Sequence, residues 1–221
     1  ATLLDVLTDA VAGIVSGGAI HNRLALSWGL GPGGPAADLI RRILVLVDDH
    51  ELNASAFAAR VAASTGASLA AASLAGLATL SGPRHGGATA AVRTFAAEAA
   101  LVGPRAAIAN RLAEDRLLPG FGHPLYPDGD VRCQVLLAAI EEPAAFRDLR
   151  LAGIAVLDEQ PNIDFGLAAL AAAYSLPPEA PATIFALSRS AGWLAHMLEQ
   201  AESGLLIRPR ARYIGPNPTV P

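Results

Sequence analysis

The sequence predicts an all-α protein, and three observations carry that reading. Hydrophobic residues make up 52% of the 221 residues, with alanine foremost and aromatics at only 5%. Alanine is the best helix former, and its small side chain lets helices pack closely. Strand signals are scarce: no convincing run of alternating β-branched and polar residues lies between turn dipeptides. Finally, the 21 glycines and 16 prolines divide the chain cleanly into helix-length segments. The apolar content suffices for one large domain or two modest ones.

In chain order, "LLDVLTDAVAGIVS" (3–16) reads as an amphipathic helix ended by "GG". "AIHNRLALSW" (19–28) is a short second segment, closed by the loop "GLGPGGP". Asp38 to Asp49 follows as a helix, with Leu39, Ile40, Ile43, Leu44 and Val47 on one face at 3–4 residue spacing. "ASAFAARVAAS" (54–64) and "LAAASLAGLATL" (69–80) are two helices joined at "STGAS", and "SGPRHGG" is a loop. Segments 88–101 and 103–115 are helical, the second with Pro104 near its first position, where a missing N–H matters little. "LLPGFGHPLYPDG" (117–129) is too rich in glycine and proline for a helix. Helices are expected again at 130–142, 144–159, 163–176 and 182–203, separated by "QPN" and "PPEAP". The tail "IRPRARYIGPNPTVP" has too much proline for regular structure and is expected to lie across a surface.

A net charge of -4, with no basic run interleaved with aromatics, argues against nucleic acid as a partner. It leaves room for small anionic ligands held by converging arginines. Cys133 has no second cysteine to pair with, which fits a reducing compartment. The uncharged stretch from Val61 to Pro83 is broken by Ser, Thr and Gly, so no membrane span is expected. The N-terminal segment carries Asp5 and Asp9 and lacks a basic run, so it does not read as a secretory signal. A cytoplasmic location is the expectation.

Against this apolar background, "DDHELNAS" (48–55) places two aspartates, a histidine and a glutamate at the end of a core helix. The other polar gatherings are "GPRHGG", "PGFGHPLYPDGDVR", "NIDFG" and "SRSAGW…IRPRARY". Metal-ligand spacings such as H-E-x-x-H are absent, so no metal is expected. Neither a nucleophile elbow nor a Walker lysine accompanies the glycine-rich loops.

Taken in this order and spacing, "DDHELNAS…ARVAAST", "LSGPRHGGA", "LPGFGHPLYPDGDVR", "NIDF" and "IFALSRSAGWLAHMLEQ…LIRPRARYIGP" resemble the citrate synthase family, from about His21 to Pro216. The resemblance implies a large helical domain (1–54 and 161–221), a smaller CoA-side helical domain (55–160) and a site in the cleft between them. It implies condensation of acetyl-CoA with oxaloacetate and water to give citrate and CoA. On it, Asp164 is the base that takes a methyl proton, His50 stabilises the enolate oxygen, and His123 polarises the oxaloacetate carbonyl. Such a base and donor acting together avoid a free carbanion.

By the same resemblance, Arg132 and Arg189 grip the oxo acid's carboxylates, a task suited to planar guanidinium forks. Arg208 reaches the partner subunit's site in a homodimer, and His21 is a further oxaloacetate-binding histidine. Leu118, Gly120, Phe121 and Gly122 belong to the loop whose backbone receives the adenine end of CoA. The CoA thioester is a co-substrate, and no resident cofactor is expected. His85 is divided between holding its loop and touching ligand, while His196 beside Trp193 reads as packing. Asp48, Asp49 and Glu51 are expected to orient the turn.

Two departures from the family pattern stand out. Relatives usually carry a long segment ahead of the first motif, so the chain is either a reduced form or lacks a portion lying elsewhere. Basic residues that commonly follow "GFGH" are replaced here by Pro124 and Pro127, for which Arg84 could compensate. Propionyl-CoA as donor (2-methylcitrate synthase), reverse cleavage of citryl-CoA by a lyase, and a non-catalytic organic-acid or CoA binder are open alternatives.

Overall fold

The computed structural model describes residues 2–13, 17–83, 85–86 and 88–216. Among these residues lie α1 (Thr2–Ala12), α2 (Ile20–Ser27), α3 (Pro35–Leu46), α4 (Ala54–Ser64), α5 (Leu69–Leu80) and α6 (Ala88–Val102). They are followed by α7 (Pro104–Ala113), α8 (Val131–Ala138), α9 (Ala144–Leu157), α10 (Ile163–Ala173) and α11 (Ala180–Ser203). No strand occurs among the described residues, only an isolated antiparallel bridge between Phe121 and Pro161. The fold is all-α, as the sequence predicts.

Several helices start where a side chain takes up orphan N–H groups. Asn53 Oδ1 accepts from the Ser55 and Ala56 amides ahead of α4, Ser68 Oγ from Ala71 ahead of α5, and Asn162 Oδ1 from Asp164 ahead of α10. Other boundaries differ from expectation. α3 begins at Pro35, whose fixed φ suits a first helical position, and it ends at Leu46 rather than Asp49. The hydroxyl of Ser188 donates to Leu44 O and Arg189 Nε donates to Val47 O at 3.2 Å, so α11 side chains take up the last carbonyls. Asp48, Asp49 and His50 therefore lie in a turn beyond the helix. α11 begins two residues before the expected 182 because Pro181 is tolerated in its first turn. α8, α9 and α10 end earlier than expected, α9 at Leu157 before Asp158 (φ 55°) and α10 at Ala173, two residues before Ser175 (φ 51°). Residues 14–16 of the first expected helix lie outside the described residues.

The core consists of adjoining clusters. Phe95, Ile108, Phe121, Phe146, Leu149 and Phe165 join α6, α7, α9 and one face of α10. Leu39, Ile43, Leu136, Leu167, Leu170 and Ile184 join α3, α8, the other face of α10 and the start of α11. Alanines 56, 59, 63 and 72 let α4 and α5 pack closely on Trp193 and Met197 of α11. Leu24, Ile40 and Leu187 tie α2 and α3 to α11, and buried Arg23 is held by Asp5 and Asp9 of α1. α10 is apolar all round and buried on both faces, which carries its first-turn Asp164 into the interior. No described helix is long and apolar enough to cross a membrane.

Candidate active site

Asp130 and Arg132 form the base of the site. Asp130 caps α8, accepting the Arg132 amide at 3.0 Å, and it grips Arg132 Nε and Nη2 at 2.9 and 2.8 Å. Its second oxygen also accepts the Ile163 amide at 2.9 Å, linking α8 to the start of α10. Burial opposes a charge on Asp130, but the Arg132 fork and the two amides outweigh it and hold the carboxyl below its ordinary range. With one edge of the guanidinium fixed in this way, Nη1 of Arg132 makes no hydrogen bond to a described residue.

Above Arg132, three rings gather. The guanidinium lies 4.9 Å from the Tyr126 ring centroid. Tyr126 in turn is 5.0 Å from the His123 ring and 5.6 Å from His50, and its hydroxyl is 3.1 Å from His50 Nε2. The His50 and His123 rings meet edge to face at 5.2 Å. His123 Nδ1 accepts the Leu125 amide at 3.1 Å, so neutral His123 carries its proton on Nε2 and can donate from there. Partial burial, reinforced by Arg132, pushes both histidines below the ordinary imidazole value, His50 to about 4. The His50 turn is seated on α11 at Gly192, where an added Cβ would lie 2.5 Å from Asp48 O.

Arg189 completes this group. It is 1% exposed, its Nε donates to Val47 O, and its guanidinium lies 4.8 Å from the Phe185 ring. No carboxylate among the described residues pairs with it. Burial, with Arg132 adding repulsion, lowers its pKa to about 10. Asp49 and Asp48 oppose that shift only from a distance, so the buried guanidinium has no carboxylate in contact with it among the described residues.

Asp164 borders a cavity of about 190 Å³ whose polar wall includes His85, Thr89 and Ser81 and whose apolar wall includes Leu77, Leu80, Ala182, Phe185 and Ala186. The Thr89 hydroxyl donates to Asp164 Oδ1 at 2.5 Å. Burial raises the Asp164 pKa, opposed by the Thr89 hydrogen bond and by Arg132. His85 Nε2 is 2.9 Å from Ser55 Oγ, which also accepts from the Trp193 indole at 3.1 Å. Burial and then Arg189 lower the His85 pKa, keeping it neutral. The histidine sharing Asp164's cavity is thus His85, while His50 belongs to the neighbouring arginine group.

The loop from 117 onward borders a cleft of about 800 Å³, lined also by Asp115, Arg116, Glu159 and Gln160. Leu118 and Phe121 turn their side chains into the core. Gly120 O accepts the Asn162 amide at 2.8 Å, and Gly122 donates to Gln160 O at 2.9 Å. Gly122, with φ 68°, adopts a left-handed backbone that favours glycine, and it lies close to the Glu159 carboxylate. Pro124 and Pro127 line the same cleft, and Arg84 lies outside the described residues. His21, half-buried in the first turn of α2, makes no hydrogen bond to a described residue. Arg208 is exposed on the tail and makes no side-chain hydrogen bond or ion pair among the described residues.

Sequence reasoning missed Tyr126, Thr89, Asp130, Asn162 and Ser55. Only Asp130 and Asn162 left a local signal, each being a capping residue type just ahead of a helix. No described cluster of His, Cys, Asp and Glu could hold a metal ion.

Comparisons with known proteins agree on one family. The model of the citrate synthase C-terminal domain matches residues 16–210. A putative citrate synthase 2 of Mycobacterium tuberculosis H37Rv is 36% identical over 212 residues, covering 90% of this chain and 57% of the relative. A 2-methylcitrate synthase 2 of Corynebacterium glutamicum is 33% identical over 225 residues, covering 94% and 58%. The citrate synthase of Thermoplasma acidophilum, solved with carboxymethyl coenzyme A and oxaloacetate, superimposes with a TM-score of 0.79 at 26% identity, covering 99% of this chain and 65% of that one. The chain thus spans little more than half the length of the curated relatives it matches. With its helical fold, the aligned C-terminal region and these relatives, the chain belongs to the citrate synthase family.

Proposed function

We propose that the protein to which this chain belongs condenses acetyl-CoA with oxaloacetate and water, giving citrate and free CoA. The observation that carries this reading is the largely enclosed Asp164 carboxylate, raised in pKa and sharing a small cavity with neutral His85. In this reading Asp164 takes a proton from the acetyl methyl group while His85 donates to the thioester oxygen. The enol carbon attacks the oxaloacetate ketone, whose oxygen receives the His123 Nε2 proton, while the enol O–H proton returns to His85 and the thioester carbonyl re-forms. Water then cleaves the citryl thioester to citrate and CoA. This exchanges the roles that the resemblance assigned: His85 takes the enol, and His50 joins His123, Arg132 and Arg189 around the oxo acid. For His85 to donate from Nδ1, the Ser55 hydroxyl must turn its proton from Asn53 Oδ1, 2.8 Å away, to His85 Nε2.

His21 is kept as a further oxo-acid ligand and Arg208 as one acting across a homodimer. The dimer is supported by α5, which carries no charged residue yet exposes Leu69, Leu74 (65% exposed) and Leu77. The backbone around Leu118, Gly120, Phe121 and Gly122 borders the proposed CoA cleft. Because α4 and α5 share a core with α11, the domain boundary we propose falls in the 81–87 loop rather than at 54/55.

Propionyl-CoA is the second donor considered. Ala182 and Ala186 leave the acyl wall of the cavity shallow, and one methylene changes binding by only about 1–3 kcal/mol. Thiol release from acetyl-CoA and propionyl-CoA, with and without oxaloacetate, tests the function. Oxaloacetate-dependent release with citrate or 2-methylcitrate as product supports it, and no release from either thioester contradicts it.

A further inference from the structure

We infer that Tyr126 is a positioning residue that holds His50 as the Nδ1–H tautomer, its phenol donating to Nε2 and leaving the remaining N–H for the oxo acid. The inference rests on the proposed binding of an oxo acid at the Arg132 and Arg189 group. At 3.1 Å the Tyr126 hydroxyl and His50 Nε2 share one proton, and either group can supply it. The surroundings decide between the two. Arg132, immobilised by Asp130, presents its guanidinium to the Tyr126 ring, and Arg189 lies within electrostatic reach of both Tyr126 and His50. Two cations draw electron density from the phenol, making its O–H a better donor and its oxygen a poorer acceptor. Burial, and then the same field, keep His50 from taking a second proton, so its Nε2 lone pair stays open to the phenol.

Tyr126 is also fixed in place through its backbone. Its amide donates to His123 O at 2.9 Å, and its carbonyl accepts the Gly129 amide at 3.0 Å. The His50 Nδ1 atom has no hydrogen-bond partner among the described residues. One phenol thus sets which nitrogen of His50 faces the substrate, while its ring spaces His123 from Arg132.

Proton-nitrogen correlation spectra of histidine-labelled chain report which imidazole nitrogen carries hydrogen, with the His50 signals identified by their loss in His50→Gln. The expected wild-type spectrum shows Nδ1 protonated and Nε2 bare. Tyr126→Phe keeps the ring and its contacts but is expected to admit a population of the Nε2–H tautomer. It is also expected to raise the oxaloacetate KM roughly three- to tenfold, as loss of one hydrogen bond does, without changing the thioester KM. An Nε2–H tautomer in the wild type, or an unchanged spectrum in Tyr126→Phe, overturns the inference. The spectra are read without substrate, so they decide it whether or not condensation is found.

Discussion

Thr89 and Asp164 are 75 residues apart in sequence, yet the Thr89 hydroxyl donates to Asp164 Oδ1 at 2.5 Å and joins α6 to the first turn of α10. That bond favours the ionised carboxylate against burial, which favours the neutral acid. Thr89→Val is expected to raise the Asp164 pKa further. The acid limb of the kcat/KM profile then moves to higher pH, with the plateau rate falling several-fold. An acid limb at the wild-type position contradicts Asp164 as the titrating base.

Burial also links Asp164 to stability. Its folded pKa lies above the unfolded one, so its favourable contribution is full in acid and is lost as pH rises through the folded pKa. Asp164→Asn removes the charge while keeping an acceptor for Thr89. Its Tm is expected to exceed that of the wild type at neutral pH, with the gap closing in acid, while activity falls by about 10²–10⁴-fold. A variant less stable than the wild type at neutral pH runs against this picture.

Arg189 lacks the carboxylate partner that Arg132 has in Asp130. A bound dicarboxylate supplies it, so an oxo acid at one hundred times its Kd is expected to stabilise the fold by about 2.7 kcal/mol. For a chain of this size that corresponds to a rise in Tm of roughly 5–10 °C. Arg189→Lys keeps the charge but loses the fork, and most of that rise is expected to vanish with it. Thermal melts with and without oxaloacetate check both statements.

Gly192 lets the Asp48–His50 turn lie directly on α11. In Gly192→Ala the new methyl group meets the Asp48 carbonyl, and the turn must shift. A loss of about 1–3 kcal/mol in urea unfolding is expected, together with a higher oxaloacetate KM as His50 moves. Unchanged stability and KM speak against a tightly seated turn.

The fold is largely legible because the helices announce themselves locally, through alanine content and glycine and proline breaks. The end of α3 is not, since it is set by Ser188 and Arg189, more than 140 residues downstream. The sequence motifs mark His50, His123 and Arg132, and the structure gathers these three around Tyr126. Tyr126 itself stands 76 residues from His50, in a stretch read as loop, and nothing local marks its hydroxyl as a partner. His85 showed the limit from the other side: the sequence named it, but only the cavity it shares with Asp164 tells it apart from His50.

In the proposed reaction Asp164 removes a proton from the acyl methyl group. The most direct test of that step follows loss of deuterium from methyl-deuterated acetyl-CoA, in protein saturated with a non-reactive analogue of oxaloacetate. Exchange with solvent in the wild type, abolished in Asp164→Asn and strongly reduced in His85→Gln, is the expected result. Exchange that persists at the wild-type rate in Asp164→Asn contradicts the account.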